Sequence, residues 1–260
     1  MEDCVLFKQE GKFFRILLNR PEKLNSLSPD VFRSLIEAIE IAAKSDSRFV
    51  LIESTSSKAF AAGADISYLS SVKHLALNDF INLGKLTFKS LQRLPQISFS
   101  VVNGYCLGGG LELALSTDFI IATKSAKFGL PETTLGLIPG FSGFFNGIKR
   151  LGYQNLKKLI LSGKIFELEA AKQLGLVDFE VENSDFDTVK ALVISEFGNV
   201  SPKATSQAKQ LFNTCLAAWH EYWDAEESLR FRSIFESEEA LEGLTAFLER
   251  RKAKFVLEEC

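Results

Sequence analysis

"VVNGYCLGGGLELALSTDFIIA", Val101 to Ala122, places a carboxylate, Glu112, two residues after three consecutive glycines and inside an otherwise apolar stretch. The segment before it, "ISFSVVNG", reads as a buried strand, and the residues after the glycines read as a helix. An unpaired carboxylate in such surroundings costs several kcal/mol or is driven to neutralise. Glu112 therefore has either a partner or a chemical task.

The same strand, loop, helix order recurs on both sides. Upstream, "CVLFKQ" and "KFFRILLN" read as a hairpin broken at Glu10-Gly11. Ser28 and Pro29 then start a helix whose apolar residues, Val31, Phe32, Leu35, Ile36, Ile39 and Ala43, follow a helical period. "RFVLIES" is a buried strand that runs into the small-residue loop "TSSKAFAAGADI". Downstream, "DFIIATKSAKFGLPET" is strand-rich and ends in a turn; "GIKRLGYQNLKKLILSG" and "ELEAAKQLGLVDFEV" read as helices with a short final strand. After about Phe186 the chain is helical and charged. The expectation is an α/β core over 1–186 with a helical, assembly-forming region over 187–260.

Composition narrows the chemistry. With 260 residues, 46% hydrophobic and 24% charged, the chain has the profile of a globular protein with a sizeable core. Two histidines make a histidine-built metal site unlooked-for. A net charge of -3 with scattered basic residues gives no electrostatic footprint for nucleic acid. Cys4, Cys106, Cys215 and Cys260 lack CxxC spacing, which favours reduced thiols in a cytoplasm. The acidic start "MEDCVLFKQEGK" is unlike a leader, and no apolar run approaches the ~18 residues of a membrane span.

Two loops place small residues at helix starts: "FAAGAD" around Ala64 and "LGGGLE" around Gly109. Backbone N–H groups there can face a ligand, and two of them on one carbonyl oxygen would stabilise an oxyanion. The glycines also suit close helix–sheet packing, and they lack the GxGxxG dinucleotide spacing. A second carboxylate, Glu132 in "FGLPETTLGLIPG", lies 20 positions after Glu112, again among apolar and turn residues. Two such carboxylates can hold a water and divide acid from base. The plainer readings are that Glu132 caps a helix after Pro131 and that Glu112 pairs with a lysine.

The blocks "LNRPEKLNSLS", "KAFAAGADI", "VNGYCLGGGLELALSTDFIIA", "AKFGLPETTLGLIPG", "AAKQLGLVD" and "EGLTAFLERRKAKF" resemble, in order and spacing, the crotonase (enoyl-CoA hydratase/isomerase) superfamily, from about Val5 to Phe255. The resemblance implies a crotonase-like spiral of ββα units with a C-terminal helical trimerisation region, a homotrimer or homohexamer, and a coenzyme A thioester as substrate. It implies hydration of a trans-2-enoyl-CoA by Glu112 and Glu132, with the N–H groups of Ala64 and Gly109 as oxyanion hole and with no metal or redox cofactor. Lys23, Leu24, Ala62, Asp65, Ile66, Phe247 and Arg250 fall at positions that meet coenzyme A in the family; for Phe247 and Arg250 the plainer roles are helix packing and a solvated charge. Asp118 reads as structural. Where many hydratases continue "IPG" with a glycine-rich "AGGTQRL"-like stretch, this chain has Phe141, Ser142, Gly143, Phe144, Phe145, Asn146 and Gly147. Those phenylalanines either reshape the acyl pocket or fill it. Isomerisation of the double bond, or acyl-CoA binding without turnover, are the alternatives to hydration.

Overall fold

The computed structural model describes residues 3–72 and 74–255; Cys260 lies outside them. The hairpin is present as β1 (Val5–Glu10) and β2 (Phe13–Leu18), antiparallel about Gly11. α1 (Pro29–Lys44) starts where Ser28 accepts a hydrogen bond from the Val31 N–H, and it buries the apolar stripe Val31, Phe32, Leu35, Ala38, Ile39 and Ala42.

The strand–strand–helix rhythm then becomes a spiral. β3 (Phe49–Ser54) and β4 (Ala59–Ala61) are followed by α2 (Ile66–Leu69) and α3 (His74–Gln92). β5 (Ile97–Val102) and β6 (Tyr105–Leu107) are followed by α4 (Gly109–Ala114), and β7 (Phe119–Thr123) and β8 (Lys127–Gly129) by a short 3-10 turn, Pro131–Leu135. In each unit the first strand joins one sheet and the second joins another. β3, β5 and β7 pair in parallel in the large sheet, and β4, β6 and β8 in the small one.

The remaining elements complete the two layers. α5 (Gly143–Ser162) is broken by the non-helical Gly152; β9 (Phe166–Glu167) edges the small sheet, and α6 (Leu168–Gln173) leads to β10 (Phe179–Val181) at the edge of the large one. Of the C-terminal helices, α7 (Phe186–Phe197) covers the outer face of the large sheet, where Val189 and Val193 meet Phe49, Leu51, Phe99, Val101 and Ile121. Alternate residues of the same strands, such as Val50 and Ile52, face the main core with α1 and α3. This is why the strands read as continuous apolar runs: both faces are covered. α8 (Pro202–Phe235) and α9 (Glu238–Leu248) return over the site side of the molecule.

Asp118 is structural, as read. Its carboxylate accepts from the Ser98 N–H at 2.7 Å and from Lys209 Nζ at 2.6 Å, tying α4's exit to β5 and α8. Asp118→Asn is expected to lower unfolding stability by about 1 to 2 kcal/mol, by weakening a charge-assisted bond, and to leave turnover within about twofold. Urea denaturation with a parallel rate measurement checks both.

Candidate active site

The glycine run has three local duties. Gly108, at φ +50°, turns the chain out of β6. Gly109 is the first residue of α4, so its N–H has no partner within the helix. At Gly110 a Cβ would lie 2.1 Å from the Ala61 carbonyl oxygen, so only glycine lets α4 dock on β4. Close packing and exposure of an N–H thus occur together, at neighbouring residues.

The second loop arrives beside the first. Leu27 and Ala64 form a parallel bridge in which the Leu27 N–H donates to Gly63 O at 2.8 Å and the Asp65 N–H donates to Leu27 O at 2.9 Å. In a parallel bridge the intervening residue turns its own N–H to the other side. Ala64 and Gly109 both line a cavity of about 260 Å³, with Ala62, Ile66, Glu112, Glu132, Phe141, Phe231 and Phe247 around it.

Glu112 projects from α4 and is almost fully buried. Its partner is a backbone group: Oε1 accepts from the Phe141 N–H at 2.8 Å. The lysine alternative is not what the chain does, since Lys85 pairs with Glu227. Burial first, then the charges of Glu227 and Glu132, push the Glu112 carboxyl well above the usual carboxylate range. Glu132 sits in the turn after Pro131 but makes no helix cap. It is half-buried as a residue, yet its Oε2 is buried without a hydrogen-bond partner. Burial pushes its pKa up to about 8, opposed by its own backbone N–H.

A third buried carboxylate, Glu227 of α8, completes the group. Its two oxygens accept from the Ser142 N–H at 2.6 Å and the Phe144 N–H at 2.9 Å, and Lys85 Nζ stands 3.4 Å from Oε1. Ser142 is held in the left-handed region, φ 75°, and its hydroxyl donates to Asp224 at 2.6 Å. Asp224 in turn pairs with Lys89 at 2.7 Å. His220, stacked on Phe145 at 4.1 Å, is pulled down to about pKa 4 by burial. The stretch that departs from the glycine-rich pattern is therefore clamped to α8, and the clamp presents the Phe141 N–H to Glu112. Sequence reading missed Lys85, Asp224 and Glu227. For Asp224 and Glu227 the signal was the spacing 224, 227, 228, 231, an inward helical stripe with two carboxylates where apolar residues are expected.

Of the other positions read as meeting coenzyme A, Ala62, Ile66 and Phe247 line the cavity, with Phe247 about half exposed at its edge. Leu24 lies alongside, its carbonyl accepting from the Ala62 N–H at 3.0 Å, and Lys23 is exposed next to it. Asp65 is occupied in the fold: it caps α2 through the Tyr68 N–H and pairs with Arg20 at 3.2 Å. Arg250 is exposed beyond the end of α9. None of these four lines the cavity. Among the described residues no cluster of histidine, cysteine and acidic side chains could hold a metal ion, and no helix is long and apolar enough to cross a membrane.

Comparison with known proteins identifies the family and the fold. Residues 8–257 match the profile of the enoyl-CoA hydratase/isomerase family. The short-chain-enoyl-CoA hydratase of Clostridium acetobutylicum is 33% identical over 249 residues, 95% of each chain. The 2,3-dehydroadipyl-CoA hydratase of Escherichia coli is 34% identical over 98% of this chain and 99% of its own. The solved structure of EchA1_1 from Mycobacterium paratuberculosis superimposes with a TM-score of 0.87 at 27% identity, covering 98% of this chain and 99% of that one. With the ββα spiral, the paired loops and the full-length match together, this chain belongs to the enoyl-CoA hydratase/isomerase family of the crotonase superfamily.

Proposed function

We propose that the protein is an enoyl-CoA hydratase, adding water syn across the 2,3 double bond of a trans-2-enoyl-CoA to give a 3-hydroxyacyl-CoA. The observation that carries this reading is the pair of carboxyl groups, Glu112 and Glu132, in one small apolar cavity with the backbone of Ala64 and Gly109. Hydration needs a base for the water, an acid for C2, and donors for the thioester oxygen as negative charge builds there.

The unequal surroundings of the two carboxyls divide the work. Burial and neighbouring carboxyls raise both groups, so the pair holds a proton between them; the Phe141 N–H opposes that rise at Glu112, which we assign as the member that takes a proton from water as oxygen attacks C3. Glu132, with no donor on Oε2 and its pKa pushed up to about 8, keeps its proton at neutral pH and delivers it to C2. The thioester oxygen, hydrogen-bonded by Ala64 and Gly109, carries the charge between the two steps. Water supplies both groups added, so the balance is met by substrate and water, and the proton passes from Glu112 back to Glu132 when the product leaves. The two groups titrate as a pair.

Loss of the near-ultraviolet absorbance of the conjugated enoyl thioester, followed with crotonyl-CoA, tests the reading; double-bond migration without incorporation of labelled water would replace it with isomerisation. The rate is expected to fall on the alkaline side with a midpoint near pH 8, as Glu132 loses the proton it must donate. A rate still flat two units above that midpoint would remove Glu132 as the acid.

The same reading includes assembly and place. The outward face of α8 exposes Leu211, Phe212, Trp219 and Tyr222, which suits packing against further copies in a trimer or hexamer. The free thiols of Cys4, Cys106 and Cys215 suit a reducing cytoplasm.

A further inference from the structure

We infer that the ring of Phe141 sets the acyl-chain length, confining the site to short 2-enoyl chains. The inference rests on the hydratase reading above and adds to it the substrate class. The cavity of about 260 Å³ is small, below the roughly 300 Å³ at which ordinary small-molecule sites begin. It must still hold the thioester, a water and everything beyond C3.

The wall on the side of the reacting carboxyls is solid. Phe141 packs edge-on against Phe32, Phe80 and Phe88, with ring centroids 5.2, 5.3 and 5.9 Å away. Phe80 faces the cavity, whereas Phe32 and Phe88 stand behind it, fully buried in the main core. Space behind the Phe141 ring is therefore already filled with aromatic carbon.

The ring also has nowhere to swing. On one side it lies in the hollow left by Gly84 of α3, where a Cβ would come within 2.4 Å of its Cδ1. On the other it reaches the start of α4, its Cε2 3.2 Å from where a Cβ on Gly109 would stand. The main chain cannot retreat either, because the Phe141 N–H is engaged by Glu112 and the next residue is clamped by Glu227 and Asp224. An obstacle thus begins within one residue of the N–H of Gly109 that would hold the thioester oxygen. The acyl chain starts from that same carbonyl carbon, so lengthening it drives its end into a fixed ring.

The test compares wild type, Phe141→Ala and Phe141→Leu on trans-2-enoyl-CoAs of four to twelve carbons, with circular dichroism to confirm folding. Wild type is expected to prefer the four-carbon over the ten-carbon substrate by about 100-fold in kcat/KM, and Phe141→Ala to reduce that ratio by about tenfold or more, since one or two methylenes against a rigid wall carry that much discrimination. Phe141→Leu gives a smaller shift in the same direction and decides the matter if the alanine variant does not fold. A ratio unchanged in a folded variant overturns the inference, as does a wild type equally fast on long chains. Calorimetric affinities for butyryl-CoA and decanoyl-CoA, which cannot be hydrated, keep the two readings apart. If wild type hydrates no enoyl-CoA, the hydratase reading fails, and the decanoyl-CoA affinity of Phe141→Ala against wild type still decides whether the ring is the wall.

Discussion

Glu112→Gln is expected to lower kcat on crotonyl-CoA by about 10³-fold while the protein remains folded. The amide oxygen can still accept the Phe141 N–H, so the geometry around it is retained, but the amide cannot take a proton from water. Stability should move the other way. A carboxyl whose folded-state pKa is raised binds more protons folded than unfolded once pH exceeds the unfolded value of about 4.3, so stability is lost as pH rises through that window. For Glu132 the window closes near pH 8. Wild type should therefore lose melting temperature between about pH 4.5 and 8, and either Glu→Gln variant should lose less, leaving it several degrees more stable than wild type at pH 8. A near-normal kcat in Glu112→Gln would remove the assigned base. A pH-melting curve parallel to that of wild type would mean that the carboxyl carries no such burden.

Glu227→Ala should be the most damaging change outside the cavity, costing about 3 to 5 kcal/mol of stability and most of the activity. It leaves the Ser142 and Phe144 N–H groups without acceptors and Lys85 with only Asp224, at 3.8 Å, as a carboxylate partner, all in the interior. Those two bonds also hold Ser142 in the left-handed region, and the residue before it supplies the donor to Glu112. Glu227→Gln, which can still accept one N–H, should fall between wild type and the alanine variant in both measurements. Equilibrium denaturation in urea, with kcat measured where each variant is folded, separates the two effects. An alanine variant with wild-type stability would show that Ser142 keeps its conformation by other means.

The main elements were legible because they are written locally, whereas the spiral they form was implied only by the family resemblance. The hairpin at Gly11, the Ser28 cap, the apolar strands and the small-residue loops each announce themselves within about ten residues, and the structure has each of them there. The short second strand β4 (Ala59–Ala61) was not legible: it lies inside "TSSKAFAAGADI", read as a loop, because three residues are too few to show a strand's pattern. At the site, Glu112 and Glu132 stood out as charges among apolar residues, and both line the cavity. Glu227 did not stand out, because a charge on a charged helix draws no notice until one knows which way it faces. Its partners lie 85 and 83 residues away, at Ser142 and Phe144, and Lys85 lies on another helix again. The phenylalanine stretch raised the choice between a reshaped and a filled pocket; a cavity of about 260 Å³ persists beside Phe141.

The bond from the Phe141 main chain to Glu112 has a bearing on how such a protein can diversify. A backbone N–H is common to every amino acid except proline, so the hold on the acidic group survives whatever replaces the phenyl ring. Descendants of this gene can thus exchange the side chain at position 141 for others that the buried site among Phe32, Phe80 and Phe88 admits, without giving up that hold. A proline there would remove the donor itself.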